Sequence, residues 1–67
     1  MNMQKYFFQS SRGDWALHFP NDDFAIKHAR LNKARVIRTD MFGEVILGEY
    51  VSDNGISYFK EYNHENL

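Results

Sequence analysis

The alternation of apolar and polar positions along the chain predicts five strands and one helix. Residues 14–19 alternate strictly, so that Trp15, Leu17 and Phe19 share one side of an extended segment, which is typical of a strand with one buried face. Apolar residues at helical spacing occur in the stretch 21–32, which predicts the helix. The predicted strands are residues 4–10, 14–19, 34–40, 44–52 and 56–62.

The predicted helix has matching signals at both ends. Asn21 can cap its first turn, and the acidic residues Asp22 and Asp23 lie at the positive end of the helix dipole. Asn32 can take the left-handed conformation that ends helices. The helix must then cover one face of the sheet. We expect a core in which helical residues pack on the second strand, namely Phe24, Ala25 and Ala29 over Trp15, Leu17 and Phe19.

Gly13 predicts a tight turn between the first two strands. A two-residue turn at Arg12–Gly13 would place Phe8 opposite Leu17. In the same register Tyr6 lies opposite Phe19, so the large side chains of both strands share one face.

The Asn54–Gly55 pair predicts a second hairpin, between the last two strands. We expect a positive φ at both residues, with Val51 opposite Tyr58. This prediction depends only on the backbone preferences of the two turn residues.

Together the elements predict an α+β fold in the order β-β-α-β-β-β, with one helix packed on one face of a mostly antiparallel sheet. The strands before and after the helix are candidates for a parallel pair joined by a right-handed crossover. Residues 1–67 are expected to form a single small domain, with residues 63–67 as a loose C-terminal tail.

Composition narrows the functional classes. The chain has 67 residues, no cysteine and a formal net charge of −1. The lack of cysteine excludes disulfides and thiolate zinc sites and is consistent with a cytoplasmic protein. No apolar segment approaches the roughly 20 residues that span a membrane, so we expect no membrane partner. Dedicated DNA-binding domains are usually clearly basic, which this chain is not.

The polar residues show no pattern typical of catalysis or of metal or cofactor binding. The spacing of His18, His28 and His64 does not require any of them to meet an acidic partner, whereas a zinc or catalytic site needs several converging groups. The acidic residues fall mostly at turns and helix ends, where capping explains them. We therefore expect no catalytic residue, no cofactor, no metal and no enzymatic activity.

The third to fifth strands carry apolar residues at both parities. Ile37, Val45, Leu47 and Val51 share one parity, which we assign to the helix side. The opposite face would then expose a set of apolar and aromatic residues with one arginine, which is typical of interface centres. This predicted partner-binding set is Val36, Arg38, Ile46, Tyr50 and Phe59. Its partner would be another protein or a second copy of the chain. Alternatively, these residues lie under the tail or at a sheet edge.

A cluster of basic residues gives an alternative function, the binding of single-stranded nucleic acid or RNA. The cluster falls near the helix end and the next strand and comprises Lys27, Arg30, Lys33, Arg35 and Arg38. With an exposed Phe7 or Tyr50 these residues could hold a strand by charge and stacking. The alternative interpretation, which we favour, is a solvated helix face near the negative end of the dipole.

The overall layout resembles that of very small phage-encoded proteins. It comprises a hairpin, a helix with an acidic start and the spacing Ala25-x-x-x-Ala29, the strand Ala-Arg-Val-Ile-Arg at 34–38, and a meander. Some anti-CRISPR inhibitors are similar to it in size and layout. The resemblance covers most of the chain as architecture and carries over no functional residue. It implies a stoichiometric inhibitor that acts by covering a surface of its partner.

Overall fold

A computed structural model describes residues 2–62 and shows an α+β fold in the predicted order. The elements are β1 (Gln4–Ser10), β2 (Gly13–Phe19), α1 (Asp22–Leu31), β3 (Arg35–Asp40), β4 (Gly43–Asp53) and β5 (Ile56–Glu61). The strands form one sheet in the order β2-β1-β3-β4-β5, and every neighbouring pair is antiparallel.

The strands before and after the helix are not neighbours in this sheet. Both β2 and β3 pair with β1, one on each side of it, and both run antiparallel to it. They are therefore parallel to each other but separated by β1. The predicted direct parallel pair is wrong, because β1 already occupies the position next to β2.

The first hairpin keeps the predicted face with a register shifted by two residues. Ser10 pairs with Gly13, so the turn residues are Ser11 and Arg12 rather than Arg12 and Gly13. Phe8 lies opposite Trp15 instead of Leu17. Because side chains alternate with a period of two, this shift leaves the same residues on the same face.

The second hairpin matches its prediction. Asn54 has φ 52° and Gly55 has φ 81°, and Val51 pairs with Tyr58. The Asn-Gly pair thus sets the register of β5 against β4.

The helix begins as predicted and ends at Leu31, but the left-handed residue after it lies one position later than predicted. Asn21 Oδ1 accepts a hydrogen bond from Phe24 N at 3.2 Å. Asn32 is not left-handed, since its φ is −103°, and Lys33 takes that conformation with φ 53°. The Asn32 side chain instead donates to His28 O at 2.8 Å, a carbonyl that also accepts from Asn32 N at 3.1 Å.

The core lies between α1 and one face of the sheet. Ala25 and Ala29 are fully buried there, as predicted, and let the helix approach the sheet closely. The fully buried strand residues are led by Tyr6, Phe8, Val36 and Leu47. Trp15 and Phe19 pack against this cluster and are partly buried.

Two residues predicted for the core lie outside it. Leu17 is 39% exposed and Phe24 is 52% exposed. The helix packs mainly over β4 and β3, so it leaves Leu17 on edge strand β2 uncovered. Phe24 points away because the alanine side of the helix is the one that faces the sheet.

A β-bulge in β4 decides which residues face the helix. Ile46 pairs with Ile37 but Gly48 pairs with the preceding residue, Val36, so Leu47 is an extra residue in β4. A bulge places two residues of one strand opposite one of the other and reverses the alternation beyond it. Leu47 is 1% exposed and belongs to the core.

No helix within residues 2–62 is long and apolar enough to cross a membrane. The segment 63–67, predicted to be a loose tail, lies outside the described residues together with His64.

Candidate protein interface

The five residues predicted to form a partner-binding face do not share a face. Val36 is fully buried in the core under α1. Arg38 forms an ion pair with Asp22 of α1 at 2.5 Å. Phe59 packs against the core, and its ring contacts the ring of Tyr50 with centroids 5.6 Å apart. These four residues therefore lie on the helix side of the sheet.

Ile46 alone of that set lies on the side away from the helix, opposite Ile37. The prediction failed because it assumed unbroken alternation along β4. The bulge moves Tyr50 to the helix side, and the predicted helix-side residues Ile37 and Val51 lie on the other side. A sequence signal existed, since Gly48 falls inside a predicted strand and such glycines often mark a bulge.

Arg38 has a structural role that the sequence did not reveal. Asp22 accepts a hydrogen bond from the Tyr6 hydroxyl at 2.7 Å and from Arg38 Nη1 at 2.5 Å. Burial, and then the bond to Asp22, raises the pKa of the Tyr6 hydroxyl well above its ordinary value. Asp22 also lies in the first turn of α1, where the helix dipole favours a carboxylate. The trio thus joins the start of the helix to β1 and β3.

The side of the sheet away from α1, here called the open face, carries an apolar row. Ala16, Phe7, Ile37 and Ile46 are successive cross-strand partners on β2, β1, β3 and β4. Phe7 and Ile46 are each 38% exposed, and Ile37 between them is 7% exposed. Directly opposed apolar residues stabilise a sheet. Here they also form a continuous apolar band that no element within residues 2–62 covers.

A polar row borders this apolar row on the open face. Arg35 donates to Gln9 Oε1 at 3.3 Å and to Glu49 Oε1 at 3.1 Å. The Tyr62 hydroxyl donates to the other oxygen of Glu49. That hydrogen bond, followed by the hydrogen bond from Arg35 and then its charge, lowers the pKa of the Glu49 carboxyl. The row is therefore a fixed polar border next to the apolar band.

The β3–β4 turn adds two exposed apolar side chains. Met41 is 88% exposed and Phe42 is 91% exposed. The turn is held in shape because Asp40 Oδ1 accepts a hydrogen bond from Phe42 N at 2.7 Å and Gly43 takes φ 123°. Sequence reasoning identified the turn but did not single out its exposed side chains. The available signal was the presence of large apolar residues where turns usually carry polar ones.

The basic residues of the nucleic-acid alternative do not form a single surface. Arg30 pairs with Glu61 at 3.1 Å, Arg35 with Glu49, and Arg38 with Asp22. Arg35 lies on the open face, whereas Arg30 and Arg38 lie on the helix side. Three of the five predicted phosphate contacts are thus paired with carboxylates and point in different directions.

His28 sits among aromatic rings on the helix side. Trp15 Nε1 donates to His28 Nε2 at 3.0 Å, and the ring of Phe8 meets the imidazole edge-on with centroids 4.7 Å apart. This environment makes His28 part of the packing between α1 and β2. No group of three or more histidines and carboxylates within residues 2–62 could hold a metal ion.

Comparisons with known proteins returned no relative. No family model matches the chain, no curated protein matches it, and no solved structure matches its fold. The functional argument therefore comes from the geometry of this chain.

Proposed function

We propose that this protein is a non-enzymatic binding module whose open face contacts a partner protein. The observation that carries the proposal is the apolar row Phe7, Ile37 and Ile46, which crosses three strands on the face opposite the helix. In a monomer of this size, a sheet face is usually either covered by another element or lined with polar residues. An apolar row whose outer members Phe7 and Ile46 are exposed, with a polar rim, is typical of an interaction site.

Phe42 is the second part of the proposed interface. It is 91% exposed on a turn whose shape is fixed by Asp40 and Gly43. An aromatic side chain presented on a rigid turn loses little conformational entropy when it enters a pocket. Large aromatic residues are also frequent among the few residues that supply most of the binding energy. We therefore assign Phe42 as an anchor beside the apolar row.

The resemblance to small phage proteins suggests how such a module would act. An inhibitor of this kind binds its target in a one-to-one complex and blocks the surface that it covers. The open face is suited to this because its polar row is already internally paired through Arg35 and Glu49, which limits the cost of desolvating lone charges. The cytoplasm is the compartment that fits a chain without cysteine.

Affinity capture with matched variants tests the proposal. The immobilised full chain is incubated with a nuclease-treated bacterial lysate, and retained proteins are identified by mass spectrometry. Ile46→Lys places a charge on the open face, and Leu31→Lys places the same charge on the helix, where Leu31 is 75% exposed. We expect a protein that is retained by the wild type and by Leu31→Lys but lost with Ile46→Lys. Unchanged thermal unfolding must show that both variants fold.

Two outcomes would contradict the proposal. If Ile46→Lys retains the same protein as the wild type, the open face is not the binding surface. If the chain instead binds a fluorescent single-stranded oligonucleotide with an affinity that falls steeply with salt, the nucleic-acid alternative is correct. In that case Lys27→Ala and Lys33→Ala should weaken binding more than Ile46→Ala does.

A further inference from the structure

The outer edge of β2 is an unpaired strand edge. Within residues 2–62, β2 pairs only with β1. Ser10 and Gly13 close the turn between them, and hydrogen-bonded pairs alternate along an antiparallel ladder. The backbone groups of Trp15 and Leu17 therefore face β1. Those of Asp14, Ala16 and His18 point outward.

This edge lacks most of the features that usually prevent strand edges from pairing, and Asp14 is its one charged side chain. Natural edge strands are commonly protected by lysine, proline, a bulge or short length. The sequence of β2 (Gly13–Phe19) is GDWALHF, seven residues without lysine, arginine or proline. Its register against β1 runs from Gly13 to Phe19 without a bulge. A regular edge of this length is a template for another strand.

The sequence of β2 is complementary to itself when two copies run antiparallel about Ala16. Asp14 of one copy then lies opposite His18 of the second copy, a carboxylate against an imidazole, and this contact occurs twice. Trp15 lies opposite Leu17 of the second copy, on the helix side. That contact covers Leu17, which is 39% exposed in the single chain. Ala16 faces Ala16 of the second copy through outward backbone groups, as a hydrogen-bonded pair requires.

The other edge strand differs. In β5 (Ile56–Glu61), the turn pair Asp53–Ile56 directs the backbone groups of Phe59 outward. An arrangement about Phe59 brings no opposite charges together, and the strand carries Lys60, a residue type that protects strand edges. We therefore propose that the chain forms a two-fold symmetric homodimer through β2, in which two five-stranded sheets join into one continuous sheet. This inference goes beyond the proposed function and does not depend on what the open face binds.

The dimer would change the shape of the open face. A two-fold axis perpendicular to the sheet keeps both helices on one side and both open faces on the other. The row Ala16–Phe7–Ile37–Ile46 of one copy continues through Ala16 into the same row of the second copy. The apolar band would then double in length and present two equivalent binding surfaces.

Sedimentation velocity of the full chain tests the dimer directly. The 8.0 kDa chain should shift towards twice that mass as its concentration rises from micromolar to millimolar. Ala16→Pro removes the outward N–H at the two-fold axis without removing a hydrogen bond to β1. We expect it to weaken association about tenfold or more, since two symmetric hydrogen bonds are lost. Ala16→Val keeps the N–H and serves as the matched control.

Charge variants and an intermolecular contact test the register. His18→Asp opposes two carboxylates and should weaken association, and Asp14→Lys combined with His18→Asp should restore it. In a mixture of labelled and unlabelled chains, filtered NMR spectra should show a contact between the α protons of Trp15 and of Leu17 of the second copy. This is a close non-hydrogen-bonded pair in the proposed register.

Three results would overturn the proposal. A folded wild type that remains monomeric up to millimolar concentration contradicts the dimer. A dimer that Ala16→Pro leaves intact, with its thermal transition unchanged, uses another surface. If the charge swap fails to restore association while Trp15 fluorescence shows a native fold, the register about Ala16 is wrong.

Discussion

Replacing Gly48 with alanine should destabilise this protein through the ring of Phe59. A Cβ built on Gly48 would lie 2.5 Å from Phe59 Cζ and 2.7 Å from Phe59 Cε2. It would also lie 3.2 Å from Lys60 O. Carbon atoms in contact are normally about 3.5–4.0 Å apart, so the ring must move. Glycine is thus required at the bulge by packing from the neighbouring strand.

The size of the effect follows from how the ring is held. Tyr50 meets Phe59 with centroids 5.6 Å apart, and the guanidinium of Arg30 lies 5.2 Å from the ring centre. Overpacking of this kind costs about 1–3 kcal/mol, while the stiffer unfolded chain returns about 0.4–1 kcal/mol. A net loss of about 1.5 kcal/mol would lower the Tm by roughly 6–12 °C in a domain of this length.

Thermal and urea unfolding of Gly48→Ala, followed by Trp15 fluorescence, measures the loss. The control is the same substitution in a Phe59→Ala background, where no ring opposes the new methyl group. There we expect no loss, or a gain of about 0.5 kcal/mol from the unfolded chain. If Gly48→Ala raises the Tm of the wild type, or lowers it equally in both backgrounds, contact with Phe59 is not the reason for glycine at this position.

Two further predictions concern the core and the polar row. Leu47→Ala should lower the free energy of unfolding by about 2–5 kcal/mol, because Leu47 is 1% exposed. Leu17→Ala should lower it by less than half as much, because Leu17 is 39% exposed. Equal losses for the two variants, measured by urea unfolding at low protein concentration, would contradict the core assignment. Glu49→Gln should reduce the loss of stability in acid. Tyr62 and Arg35 lower the Glu49 pKa from its ordinary value of 4.5, so its contribution is complete above that value and disappears as the pH falls through the lowered pKa. The stability difference between wild type and variant should therefore shrink as the pH falls below 4.5 and through the lowered pKa, and a constant difference would refute this.

The elements of the fold could be predicted because their signals are local. The Asn54–Gly55 turn carries in two residues the backbone preference that positions β5 against β4. Asn21 caps the helix through a bond to a backbone N–H three positions later. Ala25 and Ala29 lie one turn apart and face the sheet together. Each of these outcomes depends on residues close in sequence, so the order β-β-α-β-β-β could be predicted from the sequence.

The candidate site was predicted poorly because it depends on contacts between distant residues. The assignment of faces beyond Leu47 rests on one bulge, which depends on the fit between Gly48 and Phe59 across β4 and β5. Arg38 was assigned to an interface, yet it is held by Asp22, sixteen positions earlier.

Sequence alone determined the elements, their order and the face that carries the large side chains of β1 and β2. The reason is that the spacing of apolar residues, the turn residues and the helix caps each act over a few residues. The tertiary structure decided which side of β3, β4 and β5 meets the helix. A one-residue change of alternation exchanges the two faces of a strand. The packing of Leu47 into the core and the close approach of Phe59 to Gly48 fix where that change occurs. For the same reason the apolar row of Phe7, Ile37 and Ile46 became visible only when the strands were paired.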